Sequence, residues 1–215
     1  MKILVTGFTP FGNDTVNPSW EAVSRLPDEI DGATVQKVLL PVEYRRVRTL
    51  LEERLRNDMP DAVMCVGQAG GRAMITPEKV AINCMDASLP DQAGLLASDL
   101  PVREDGPTAY FSTLPIKGMV SAMQQSGIPG ALSYSAGTYV CNSTMYHLLD
   151  LIAQLQLPVR GGFVHVPFLC EQTVGRAPST ASLPLPCIIE GLKACITAIV
   201  QTDTGSNTDV HGYTH

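Results

Sequence analysis

Apolar runs of strand length alternate with amphipathic helical stretches from the first residues onward, and this alternation restricts the fold more than any other feature of the chain. KILVTG (2–7), VQKVLLPV (35–42) and DAVMCVG (61–67) are β-rich runs, two closed by glycine and one ending near Pro41. Between them, PSWEAVSRL and EYRRVRTLLEERLRND place apolar residues three and four apart, the spacing that puts them on one face of a helix. The resulting order is β-α-β-α-β. Such an order implies a largely parallel or mixed twisted sheet with helices on both faces.

Later segments extend the pattern. KVAINC (79–84) reads as a strand, LPIKGMVSAMQQSG as a helix closed by Gly127, and ALSYSAG as a strand that feeds a second helix, NSTMYHLLDLIAQL. GGFVHVPFL is the next strand and LPCIIEGLKACITAIVQT the last helix. The stretch 85–109 lacks periodicity and is read as a functional loop or a small hairpin excursion. One domain over 1–201 and a polar, frayed tail over 202–215 are expected.

Composition narrows the functional classes. A net charge of -6 with no basic run argues against nucleic acid, whose phosphates call for clustered Lys and Arg. MKILVTGF is too short an apolar start for a signal peptide core, and no stretch is read as reaching the roughly 20 apolar residues of a bilayer span. The expectation is a cytoplasmic protein with no membrane partner. Six cysteines without a CxxC pair suggest neither a zinc ribbon nor a redox motif. GQAGG does not fit a dinucleotide fingerprint, and no phosphate-cradling GxxxxGK[ST] occurs.

Cys141 stands apart from the other thiols. It falls where a small-residue turn becomes a helix, and in open α/β sheets reactive residues gather at strand carboxyl ends and first helical turns. The helix N-terminus is expected to favour thiolate and lower the pKa. A thiol nucleophile needs a base, usually histidine. Of the four histidines, His211 and His215 sit in the expected tail. His147, six residues along the same helix, lies about 240° round the axis from Cys141. His165, near the end of GGFVHVPFL, is left as the candidate base. Glu78 is a candidate to orient the imidazole, although a solvated strand-end acid is the reading that physics alone favours at that position.

Four segments together resemble the type I pyroglutamyl peptidases, or pyrrolidone carboxyl peptidases: TGFTPFGNDTVNPSW, GGRAMITPEKVAIN, SAGTYVCNSTMYHLL and HVPFLCEQ. Their order and spacing match over residues 1 to about 200. The resemblance implies a three-layer α/β/α sandwich and a cytoplasmic, homotetrameric cysteine peptidase that removes pyroglutamate from peptide N-termini without metal or organic cofactor. It implies a triad of Cys141, His165 and Glu78. Phe8 and Phe11 would clamp the lactam ring, while Gln68, Tyr139, Val140 and Asn17 fall at pocket positions.

Three departures from the family pattern lie outside these positions. Ser88 stands where many relatives carry an arginine, Cys170 where the pattern HxPxLPEQ has proline, and Asn13 where a second glycine is usual. If the arginine supports the site, its replacement leaves open a binding protein on the same fold that has lost turnover. A nucleoside-phosphorylase-like transferase on a similar sandwich would instead call for anion-binding basic residues.

Overall fold

The structure is a computed structural model and describes residues 1–203. Four strands form a parallel core: β1 (Lys2–Phe8), β3 (Ala33–Leu40), β4 (Ala62–Gln68) and β8 (Arg160–Val166). Short antiparallel strands close the edges, β2 (Glu29–Ile30) beside β3 and β5 (Thr76–Pro77) beside β8, in the order β2-β3-β1-β4-β8-β5. The sheet is therefore mixed, with a parallel centre.

Both faces are covered, which explains why the central strands read as unbroken apolar runs. Side chains alternate between faces. Ile3, Val5, Met64, Val66 and Val164 pack under α1 (Pro18–Val23), α3 (Ile116–Gln125) and α5 (Leu185–Asp203). Leu4, Val63, Cys65 and Phe163 pack under α2 (Tyr44–Asp58) and α4 (Val140–Gln154). The layers are α/β/α.

Local chemistry sets the helix boundaries near the site. α1 starts at Asn17, whose Oδ1 accepts from Ser19 N at 3.1 Å, with Pro18 in the first turn where a missing N–H is harmless. The helix then runs so close to β1 that a Cβ on Gly7 would lie 2.8 Å from the Trp20 backbone. α2 buries Tyr44, Val47, Leu51 and Leu55, one stripe at helical spacing, and stops at Met59 in the left-handed region (φ 44°).

Three expectations change. ALSYSAG is not a strand: residues 131–137 make only isolated bridges, such as Ser133 with Glu78. Backbone bonds tie it to the β5 segment only as far as Ser133, through Ala131 N to Ile75 O, Ser133 N to Pro77 O and Lys79 N to Ser133 O; beyond that Ser133 Oγ bonds Ser135 O and Gly137 N bonds Ser135 Oγ, which competes with a longer ladder. KVAINC contributes β6 (Val80–Ile82), which leaves the central sheet and pairs antiparallel with β7 (Ala109–Phe111). The 85–109 connection is thus the body of a hairpin excursion. Asn142 of α4 anchors its root by bonding Ile82 N, Ile82 O and Cys84 O at 2.9, 2.9 and 3.0 Å.

The last change concerns α5, which is long and apolar enough by length and composition alone to cross a bilayer, contrary to the sequence expectation. In the fold its apolar residues Ile188, Leu192, Ile196 and Ile199 are fully buried in the core shared with α1 and α3. Of the expected tail, Thr202 and Asp203 belong to α5 and the remainder lies outside the described residues. Two small strands, β9 (Phe168–Leu169) and β10 (Ser182–Leu183), pair beside the carboxyl end of β8.

α4 carries a buried charge far from the sheet's carboxyl edge. Asp150, fully buried, accepts from Tyr110 Oη at 2.9 Å and Arg48 Nη1 at 3.1 Å, with Arg103 Nε at 3.2 Å. Removing the carboxylate takes their shared acceptor from Tyr110, Arg48 and Arg103, but both arginines keep access to water, so Asp150→Ala is expected to lose about 2 kcal/mol and roughly 4–8 °C of Tm in a thermal melt.

Candidate active site

The strand register builds the site. In the parallel pair β4 and β8, Gly67 lies opposite His165, and Thr76 of β5 lies opposite His165 on the other side. His165 is thereby held on both flanks. Cys141, in the first turn of α4, drops its thiol onto this register: a Cβ on Gly67 would lie 2.9 Å from Cys141 Sγ and 2.7 Å from Phe163 Cζ. Only glycine leaves that space free.

Behind the imidazole sits Glu78, fully buried, immediately after β5 and tied by its own N–H to Phe163 O at 2.9 Å. Its Oε1 is 2.7 Å from His165 Nδ1. Burial pushes the Glu78 carboxyl up, but bonding to His165 and Ser133 and the Arg72 charge outweigh it and hold the group below its ordinary value. The ionised carboxylate can only accept, so Nδ1 carries the proton and Nε2 is the free basic nitrogen. Burial also pushes His165 below its ordinary value, the Arg72 charge adding to that and Glu78 opposing it.

The thiol corrects the sequence expectation. Cys141 is pushed up to about 12, first by burial and then by the Glu78 carboxylate, with Arg72 and the Cys141 backbone N–H pulling the other way. Desolvation exceeds the helix-terminus effect, so the resting pair is neutral thiol and neutral imidazole rather than a preformed ion pair. Buried Cys65 and Cys195 are raised to about 12 as well. What separates Cys141 from them is the cavity it faces, not its acidity.

That cavity has a volume of about 210 Å³, below the roughly 300–1,000 Å³ of drug-sized ligand sites, and suits a small group. Phe8, Phe11, Tyr139 and Val140 give it apolar walls, and Gln68, Asn17, Cys141 and His165 also line it. Phe8 is at once core and wall: buried at the end of β1, it stacks at 6.3 Å on Phe163, which lies 4.8 Å from the His165 ring. Phe11 leans on Tyr139 at 6.1 Å, and Tyr139 in turn meets Tyr44 edge-on at 5.5 Å.

The polar wall residues differ in what they have to offer. Asn17 reaches the cavity, but its amide bonds Thr9 O, Ser19 N and Ser19 Oγ and so holds the turn that carries Phe11. Gln68, the last residue of β4, is oriented by a network: Nε2 donates to Asp14 Oδ2 at 3.2 Å, while Oε1 accepts from Gln172 Nε2 at 3.0 Å. Arg176 anchors Asp14 at 2.5 Å. An amide fixed in this way presents one donor and one acceptor in a known sense.

Among the other candidates, His147 is buried on α4 and pushed down to about 4, mainly by burial and the Arg48 charge, and does not line the cavity. His211 and His215 lie outside the described residues. Ser88 lines a separate depression that shares Phe11, Thr138 and Tyr139 with the site. Arg72 is the residue the sequence reading missed. It lies in the quoted GGRAMITPE segment and meets Glu78 Oε1 at 2.6 Å. A lone cation in an apolar, glycine-rich stretch was the available signal.

A thiol under a neutral imidazole, itself held by a buried carboxylate at the strand ends of an α/β/α sandwich, defines a cysteine-type hydrolase. The comparisons with known proteins are specific. The family model described as pyroglutamyl peptidase matches residues 1–202. A pyrrolidone-carboxylate peptidase of Enterococcus faecalis is 50% identical over 202 residues, covering 94% of both chains. Among solved structures, pyroglutamyl peptidase I of Bacillus amyloliquefaciens superposes with a TM-score of 0.89 at 43% identity, over 92% of this chain and 94% of that one. The pyrrolidone carboxyl peptidase of Thermococcus litoralis gives 0.93 at 32% identity, over 98% of each. The chain belongs to the pyroglutamyl peptidase family and is a cysteine peptidase by class.

A neutral resting thiol has a kinetic signature. Iodoacetamide labelling of Cys141 is expected to keep rising, about tenfold per pH unit, through pH 8–10, because thiolate accumulates only towards a pKa of about 12. A rate that levels off below pH 7 would show a thiolate-imidazolium pair at rest.

Proposed function

We propose that the chain hydrolyses the amide bond after an N-terminal pyroglutamyl residue, with Cys141 as nucleophile, His165 as general base and acid, and Glu78 as the group that orients the imidazole. The observation that carries this reading is the register that brings Cys141 Sγ against Gly67, opposite His165, with Glu78 Oε1 2.7 Å from Nδ1.

As Sγ attacks the scissile carbonyl carbon, its proton passes to Nε2 of His165, and Glu78 stabilises the imidazolium that forms. Negative charge develops on the carbonyl oxygen. No side chain caps α4, because Tyr139 at its N-cap turns its hydroxyl to Pro90 O and makes no bond to the helix, so the first-turn N–H groups, Cys141's among them, are suited to receive that oxygen. The tetrahedral adduct collapses, the C–N bond breaks, and the imidazolium proton goes to the departing amine. Water, deprotonated by His165, then attacks the thioester, releasing pyroglutamate and restoring the thiol.

Substrate choice follows from the walls. Pyroglutamate is an uncharged lactam with an N–H and a carbonyl on the same edge. The aromatic walls suit its ring, and the oriented Gln68 amide suits that edge. Proline lacks the ring carbonyl, so a prolyl amide would leave a buried donor unpaired. The joint presence of nucleophile, base and carboxylate favours turnover over the binding-only reading.

The cytoplasm and a homotetramer are part of the same proposal. Six free thiols fit a reducing compartment. Exposed Leu89, Leu96, Leu100 and Phe111 cluster in sequence on the hairpin excursion and offer an apolar contact surface. Light scattering on a sizing column should give about four times the 23.0 kDa chain mass.

A fluorogenic pyroglutamyl amide tests the reaction. Cys141→Ala and His165→Ala should each lose at least about a thousandfold in kcat, and Gln68→Leu about ten- to a hundredfold in kcat/KM. Near-normal turnover by Cys141→Ala would remove the assigned nucleophile.

A further inference from the structure

Glu78 Oε1 serves two donors at once. His165 Nδ1 lies 2.7 Å away and Arg72 Nη1 2.6 Å away. The same Nη1 is 2.5 Å from Thr76 Oγ1, and Nη2 donates to Ser135 O at 2.9 Å. One guanidinium therefore joins three parts of the site: the carboxylate, the edge strand paired with His165, and the loop that leads through Gly137 and Tyr139 into Cys141.

The geometry has two consequences. First, the loop before α4 is held to the β5 segment by backbone bonds only as far as Ser133, whose N and O meet Pro77 O and Lys79 N, and beyond that point Ser133 and Ser135 bond each other. The Arg72 fork reaches it directly and holds it to β5, which matters because the height of Sγ above Gly67 depends on where α4 begins. Second, the guanidinium brings a full positive charge to Oε1, the atom that meets the imidazole, and it lines the same cavity as Cys141 and His165. The charged and titratable groups around the site are Arg72 from the turn after β4, Glu78 after β5, Cys141 from α4 and Cys65 from β4. Arg72 is the one permanent cation among them.

We infer that Arg72 is a positioning residue of the reaction: its fork fixes Glu78 and the loop that carries Cys141, and its charge adds to the burial that keeps His165 unprotonated until the thiol delivers its proton. The inference deepens the proposed mechanism and rests on it. His165 must be neutral to accept that proton, so kcat/KM falls as pH drops through the imidazole's pKa, which lies below its ordinary value. Without the neighbouring cation that acid limb should move to higher pH. A residue that merely fills space would lower the amount of folded enzyme and leave the limb in place.

The test measures kcat and KM on a pyroglutamyl amide from about pH 4.5 to 9 for the intact protein, Arg72→Met and Arg72→Lys, with active sites counted by the alkylated fraction of the peptide that carries Cys141, since the chain has six free thiols. In Arg72→Met, kcat per active site should fall about tenfold or more, KM should change less than about threefold, and the acid limb should rise by about half a pH unit or more. Arg72→Lys should return the limb to within about 0.2 pH units but not the full kcat, since an ammonium cannot reproduce the planar fork. An unmoved limb in Arg72→Met would overturn the charge role, and wild-type kcat in Arg72→Lys would overturn the fork's. If Arg72→Met does not fold, Arg72→Gln provides the same neutral comparison. His165→Ala in parallel separates the two levels: if it is inactive while Arg72→Met behaves as wild type, only this inference falls, whereas full activity in His165→Ala overturns the mechanism and this inference with it.

Discussion

The site depends on one register, the parallel pairing of β4 with β8 that sets Gly67 opposite His165. Backbone hydrogen bonds fix the histidine's place along the strand, and the missing side chain at 67 leaves the opening into which α4 lowers Cys141. A slip of one residue would turn His165 to the other face and put a side chain where Sγ now sits. The layers above and below make such a slip costly, since Met64, Val66 and Val164 on one side and Val63, Cys65 and Phe163 on the other are all fully buried. Packing far from the cavity thus guarantees contact inside it.

Upon this frame the site is arranged around charge. Glu78 is fully buried yet ionised, held so against burial first by its bond with His165, then by Ser133 and the Arg72 charge on Oε1. His165 and Cys141 are both held neutral by desolvation, so in the proposed reaction charge separates when substrate is present to receive the thiolate's electrons. Aromatic walls line the space in which the proposed reaction would separate charge, and the uncapped α4 N-terminus opens onto the same cavity.

Much of this was legible in local chemistry. The strand and helix runs appeared because two-sided burial leaves unbroken apolar stretches and one-sided burial leaves helical spacing. Cys141 was legible as a turn-to-helix junction, and His165 as the histidine left at a strand end. Phe8, Phe11 and Gln68 carried no local mark of their own; they came from the family resemblance, and they line one cavity. The failures were non-local. ALSYSAG reads as a strand, but its backbone pairs with the β5 segment only as far as Ser133 before its serines bond locally, and KVAINC leaves the sheet because its partner, β7, lies at the far end of the excursion. The α4 terminus suggested an acidic thiol, whereas burial by residues remote in the chain reverses the sign.

By itself the sequence determined the layer architecture, the candidate thiol and base, and membership of a family, because periodicity, turn chemistry and motif spacing act over a few residues or are written along the chain. Tertiary structure alone decided that Glu78 is buried 87 positions away from the histidine it holds, that Arg72 shares its oxygen, that Asn17 serves a turn and that Asp14 and Gln172 orient Gln68. These depend on desolvation and on contacts between segments distant in sequence. Neither exists until the sheet has closed and water has left the space between its layers.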